Sequence, residues 1–179
     1  MENADVSHQD SQHYCCNWPL NSCGNYPDTG GDWIELSPQL DDQQSVHGKR
    51  IDHGGFNFVG YQFTLPFMGG VHEKSEEKIR VDLERLSPLL DSDTILVTHG
   101  PAYGILDRGI LDRHAGSVAL AEMISGCSFR VHIHGHIHRE FGRQDRHFNV
   151  ASAQKRRAML IDVVSMEHEV LEGHGLTNE

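Results

Sequence analysis

The chain has 179 residues, enough for one domain with a buried core. Its apolar content of 37% is low for such a domain, and its formal net charge of -11 repels phosphate backbones, which argues against indiscriminate nucleic-acid binding. No run approaches the ~18 apolar residues of a membrane span, and residues 1–10 are polar with no apolar signal core, so the expectation is a cytoplasmic protein without a membrane segment.

Residues 1–45 are rich in Asn, Gln, Ser, Asp and Gly and have no sustained periodicity, which predicts an irregular or partly disordered segment. The four cysteines, Cys15, Cys16, Cys23 and Cys127, have no CxxC spacing and read as reduced thiols. Order begins at Val46. A short strand over 47–51, a turn over 52–55 and an aromatic, β-branched strand over 56–63 predict a hairpin. A Pro/Gly connector follows over 65–70.

Ile79, Leu83, Leu86 and Leu90 then recur at helical spacing, with Glu76 and Glu77 at the start, where they favour the dipole. Pro88 distorts or ends that helix. Thr94-Ile95-Leu96-Val97-Thr98 is an apolar run suited to a strand buried on both faces, and His99-Gly100-Pro101 breaks it. A helix is predicted over 117–125, with Ser117 as N-cap and Gly126 past its end. Strands are predicted over 129–133, 147–150 and 158–164, with 167–171 pairing with the last. The order β-β-α-β-α-β-β-β indicates a mixed α/β layered domain over 46–179.

The fourteen histidines are the outlying count. Four fall at alternate positions: His132, His134, His136 and His138. His99 and the 132–138 run share a design, a strand that ends and a histidine that follows. Sites in open α/β sheets form beyond the carboxyl ends of strands, and glycine after His99 and before His136 permits sharp turns there. One histidine at a strand end is ordinarily a polar surface residue. Three at neighbouring strand ends could converge on one metal site, with His132 and His134 packing beneath it or orienting it.

The ordered series ILVTHGPAYGILD, VHIHGHIHREFG and FNVAS resembles the back half of the calcineurin-like metallophosphoesterases. VHGKRI and FNFVGYQFTLPFMGG resemble the segment that precedes it in a bacterial branch. The resemblance covers about residues 46–164. It implies a layered sandwich of two mixed β-sheets flanked by helices, truncated at the N-terminus. It also implies two divalent metals (Mn, Fe, Zn or Ni), a metal-activated water, and hydrolysis of a small phosphomonoester or phosphodiester. By that resemblance His99 and His136 ligate one metal and His138 the other.

The family's opening motifs, Asp-x-His and then Gly-Asp, are not found; Asp5 and His8 have the wrong spacing, and Gly31-Asp32 follows the only Gly-Asn. Gly24-Asn25-Tyr26-Pro27-Asp28 stands where the family has Gly-Asn-His-Asp. Asn25 is then either a metal-binding amide or a turn residue, and Tyr26 takes the place of the histidine that assists the leaving group. Spacing does not support His13, Cys15 or Cys23 as substitute ligands. Two functions follow: a metal-dependent phosphoesterase, or a non-catalytic metal-binding or interaction module on the same fold. Tyr103, Leu106 and Asp107 are candidates for lining a pocket, Asp107 more readily as a loop-fixing residue. Arg108, Arg113 and Arg139 are either phosphate contacts or solvated.

Overall fold

Alternation along 56–61 divides the domain into layers. Phe56 and Phe58 point to one side and Val59 and Tyr61 to the other, each into a different apolar cluster. The structure is a computed structural model and describes residues 46–67, 69–70, 72–151 and 157–173. The irregular segment expected over 1–45, with Asn25 and Tyr26 in it, lies outside the described residues, as does Ser152 of the FNVAS series.

The elements run β1 (Arg50–His53), β2 (Phe56–Tyr61), α1 (Glu76–Leu86), β3 (Thr94–Thr98), α2 (Val118–Gly126), β4 (Val131–His134), β5 (Gly142–Gln144), β6 (His147–Asn149), β7 (Arg157–Ile161) and β8 (His168–Glu172). Six of the strands form a mixed sheet in the order β1-β2-β3-β4-β6-β5. Its interior, β2, β3, β4 and β6, is parallel, and β1 and β5 are antiparallel edges. The pair β7-β8 is a second, antiparallel sheet.

One face of the large sheet is covered by helices. Ile79, Leu83 and Leu86 of α1 and Ala119, Leu120, Met123 and Ile124 of α2 pack with Val59, Tyr61 and Leu96. The other face meets the small sheet: Ile95, Val97, Val131, Ile133 and Phe148 pack with Met159 and Ile161. A strand buried on both faces must be apolar on both, and all five residues of β3 are buried.

Several expectations hold in detail. The 50–61 hairpin, α1, β3, α2, β4 and the pairing of 168–172 with 157–161 are all present. Ser117 caps α2 by accepting from the Leu120 amide at 3.1 Å. Helix α1 ends at Leu86, and Pro88 falls in the 3-10 turn Ser87–Leu89.

Three details differ. The first strand starts at Arg50 because Gly48 turns the chain at φ 65°, leaving His47 an isolated bridge to Gly60. Strand β5 was not anticipated, because Asp145 makes its turn into β6 at φ 53° without a glycine. Glu76 does more than meet the α1 dipole: its Oε1 accepts from Ser117 Oγ at 2.9 Å and from the Ala119 amide, so α1 also caps α2.

Candidate functional site

Strands β3 and β4 are adjacent and parallel, with Thr98 opposite His134, so the residues after each strand emerge side by side. There the rings of His99 and His136 stand with centroids 5.1 Å apart, tilted by 57°. The two loops are joined through backbone, since the Gly135 amide donates to the His99 carbonyl at 3.1 Å. His99 is itself tied to β2, its amide donating to the Tyr61 carbonyl at 2.9 Å.

The glycines act differently from the expectation. Neither Gly100 nor Gly135 is among the positive-φ residues; His136 itself is, at φ 67°. A left-handed non-glycine residue costs about 1–2 kcal/mol, and such strain collects at functional sites. Gly100 is required for close approach: a β-carbon there would lie 2.7 Å from Thr64 Oγ1.

Burial keeps both rings neutral. His99 is pushed down to about 4 by burial, with further lowering from His136 and His72. His136 is lowered by burial and by His138, against an opposing pull from Glu73. His72 and Glu73 were not singled out in the sequence, where they read as the approach to α1. They reach the site because Glu73 forms an isolated bridge with Thr64, whose amide donates to the His72 carbonyl at 3.0 Å. Phe67, 59% exposed, stands edge-on to His136 with centroids 5.5 Å apart.

His138 opens the 3-10 turn His138–Glu140, and its proximity lowers the pKa of His136. Among the described residues no three His, Cys, Asp or Glu side chains converge closely enough to hold a metal ion. Of the three imidazoles expected to converge, His99 and His136 stand in ring contact, and His138 is close enough to His136 to lower its pKa. Two neutral imidazoles suit a first-row divalent cation as nitrogen donors, but they do not complete a coordination shell.

A buried polar layer supports these loops. The helix-side face of β4 and β6 carries His132, His134, His147 and Asn149, all buried. As expected, His132 and His134 lie beneath the strand ends, at 0% and 1% exposure. Asn149 donates to the Ile137 carbonyl at 2.7 Å, between His136 and His138. Asp107, 1% exposed, fixes the covering loop: it pairs with His114 Nδ1 at 2.7 Å and accepts from the Gly116 amide at 3.1 Å. Arg108 and Arg139 both face Asp112, with nitrogen–oxygen distances of 4.0 and 3.7 Å.

At the opposite end of the strands a cavity of about 390 Å³ is lined by Arg50, His53, Asn57, Asp91 and Asp93, among others. Asp91 is held well below the usual carboxylate range, first by Arg50 and then by Asn57 and the Asp93 amide. Its oxygens are thus committed to fixing that corner. Cys127 is a free thiol. No helix among the described residues is long and apolar enough to cross a membrane.

No family model and no curated protein matches the sequence. Solved structures do match. One solved protein aligns with a TM-score of 0.57 at 18% identity, covering 70% of this chain and 52% of its own. The protein TT1561 of Thermus thermophilus aligns with a TM-score of 0.52 at 15% identity, covering 71% of this chain and 58% of its own. This chain thus spans between about half and three fifths of these structures, and the likeness is one of fold.

Proposed function

We propose that this chain carries a metal-dependent phosphoesterase site of the calcineurin-like metallophosphoesterase kind, in a layered two-sheet fold, acting on a small phosphomonoester or phosphodiester. The observation that carries the reading is the pair His99 and His136, neutral and 5.1 Å apart, at the carboxyl ends of adjacent parallel strands. The order of the His-Gly and Gly-His-x-His motifs along the chain supports it.

His99 and His136 would hold a divalent metal through ring nitrogens, and His138 would serve a second. By the same resemblance Asn25 would add an amide donor, and Tyr26 would give a proton to the leaving group. When bound, the metals supply Lewis acidity at a phosphoryl oxygen. The protein's own part is to keep imidazoles 99 and 136 uncharged, so that they do not repel a cation, and to hold their loops in register through Gly135 and Tyr61.

The test is hydrolysis of p-nitrophenyl phosphate and its bis ester with added Mn²⁺. Turnover that requires metal and is lost in His136→Ala supports the assignment; no metal-dependent turnover in the unaltered chain overturns it.

A second reading, a non-catalytic metal-binding or interaction module, is favoured by one observation: the sequence shows neither the Asp-x-His nor the Gly-Asp motif that would supply the carboxylates. Its signature is one equivalent of metal or less without turnover, and two tightly held metals would remove it.

A further inference from the structure

Three buried side chains on three adjacent strands form a line whose hydrogen-bond directions can be derived. Thr98 Oγ1 lies 2.6 Å from the Gly100 carbonyl and 2.9 Å from His132 Nε2. His132 Nδ1 lies 3.1 Å from His147 Nδ1. A carbonyl only accepts, so the single hydroxyl proton of Thr98 goes to Gly100. The Thr98 oxygen must then accept at its other contact, and His132 Nε2 must carry a proton. His132 is fully buried, flanked by His134 and His147, and burial pushes its pKa well down. It is therefore neutral, and its Nδ1 is a lone pair. His147 Nδ1 must be the donor to it, which fixes His147 in the Nδ1–H form.

We infer that His147, His132 and Thr98 are positioning residues: a one-way hydrogen-bond relay from β6 through β4 to β3 that locks the Gly100 carbonyl and so sets the turn carrying His99. The inference rests on the reading of His99 as a site residue. Thr98 alone could bond Gly100, but its hydroxyl could also rotate. His132 occupies its acceptor side and leaves only the Gly100 direction for the proton. His147, as the Nδ1–H donor, complements the Nε2–H tautomer of His132. The carbonyl of His99 anchors Gly135, so the relay reaches both loops of the site.

The tautomer measurement uses the full chain at neutral pH, without metal. Long-range ¹H–¹⁵N correlation of the imidazoles reads the tautomers directly. The expected result is His132 as Nε2–H and His147 as Nδ1–H; His132 as Nδ1–H, or either ring cationic, overturns the relay. Thr98→Val keeps the shape and removes the hydroxyl, whereas Thr98→Ser keeps it. Thr98→Val is expected to shift the Gly100 amide and the His99 ring resonances and to weaken Mn²⁺ binding, read by electron paramagnetic resonance, about tenfold. Thr98→Ser is expected to restore them. Unmoved Gly100 and His99 resonances in Thr98→Val overturn the positioning role. If the tautomers are as derived and the unaltered chain neither binds Mn²⁺ nor turns over, the relay stands and the phosphoesterase reading fails. If it turns over with the opposite tautomers, the relay alone fails.

Discussion

Asn149 donates its side-chain amide to the carbonyl of Ile137 at 2.7 Å, clamping the one residue that separates His136 from His138. Its own oxygen accepts from the Ala151 amide at 3.0 Å, so both ends of a fully buried carboxamide are committed. Asn149→Ala strips a donor from a buried carbonyl and is expected to cost about 1–3 kcal/mol. Asn149→Asp is expected to cost more, because it aims a carboxylate oxygen at that carbonyl. Urea unfolding of the two variants beside the unaltered chain checks both the size and the order. Equal stability of all three would mean that the clamp contributes nothing.

The left-handed backbone at His136 makes a second prediction. Alanine and glycine both delete the imidazole, but only glycine accepts φ 67° without steric cost. His136→Gly is therefore expected to be more stable than His136→Ala by about 1 kcal/mol. The measurement is the difference in urea midpoint at matched slope. A His136→Ala variant as stable as the glycine one would show that the turn relaxes and stores no strain.

These two residues also mark how far the chain could be read from residue order. The existence of β3 followed from five apolar or β-branched residues in a row, and α1 from the spacing of Ile79, Leu83 and Leu86. His99 and His136 were legible as strand-end residues, His99 directly after β3 and His136 two residues after β4. Local pattern carries no information about contacts made across the fold, however. Nothing near Glu76 announces that it caps α2, and nothing near His72 or Glu73 announces a place beside His99 or His136. The left-handed turns at Asp145 and His136 have no glycine to mark them; Asp and His accept this conformation more readily than most residues, but residue order does not say which of them adopt it.

Buried neutral histidines predict the pH response. His147 is lowered to about 4, mainly by burial and then by Arg146, with Asp145 opposing. His132 is also lowered well below its usual range, first by burial and then by His134 and His147. The unfolded chain binds protons at these rings near 6.5 and the folded chain does not. Stability is therefore full above about 6.5 and falls as pH drops from there towards 4, by up to ~1.4 kcal/mol per pH unit for each histidine. Urea midpoints at pH 7, 6 and 5 give the slope. His147→Phe is expected to flatten it by one histidine's share; a slope unchanged by that substitution would remove His147 from the account.

The loop that covers the polar half of the sheet hangs on Asp107 and Gly116. Asp107 carries two bonds from a 1% exposed position, to His114 and to the Gly116 amide. Gly116 itself has no room for a side chain, since a β-carbon would lie 2.5 Å from the Ala102 carbonyl carbon and oxygen and 2.6 Å from the Tyr103 nitrogen. Asp107→Ala orphans the buried Gly116 amide and is expected to cost about 1–3 kcal/mol, with Asp107→Asn milder because one oxygen remains to accept. Gly116→Ala forces backbone against backbone and is expected to cost at least as much as ordinary overpacking, about 1–3 kcal/mol. Amide hydrogen exchange separates a local effect from a global one. In Asp107→Ala the Ala115 and Gly116 amides should lose protection while those of β3 keep it, because β3 is buried independently between α1 and the small sheet. If β3 loses protection in parallel, Asp107 holds the whole domain rather than its covering loop.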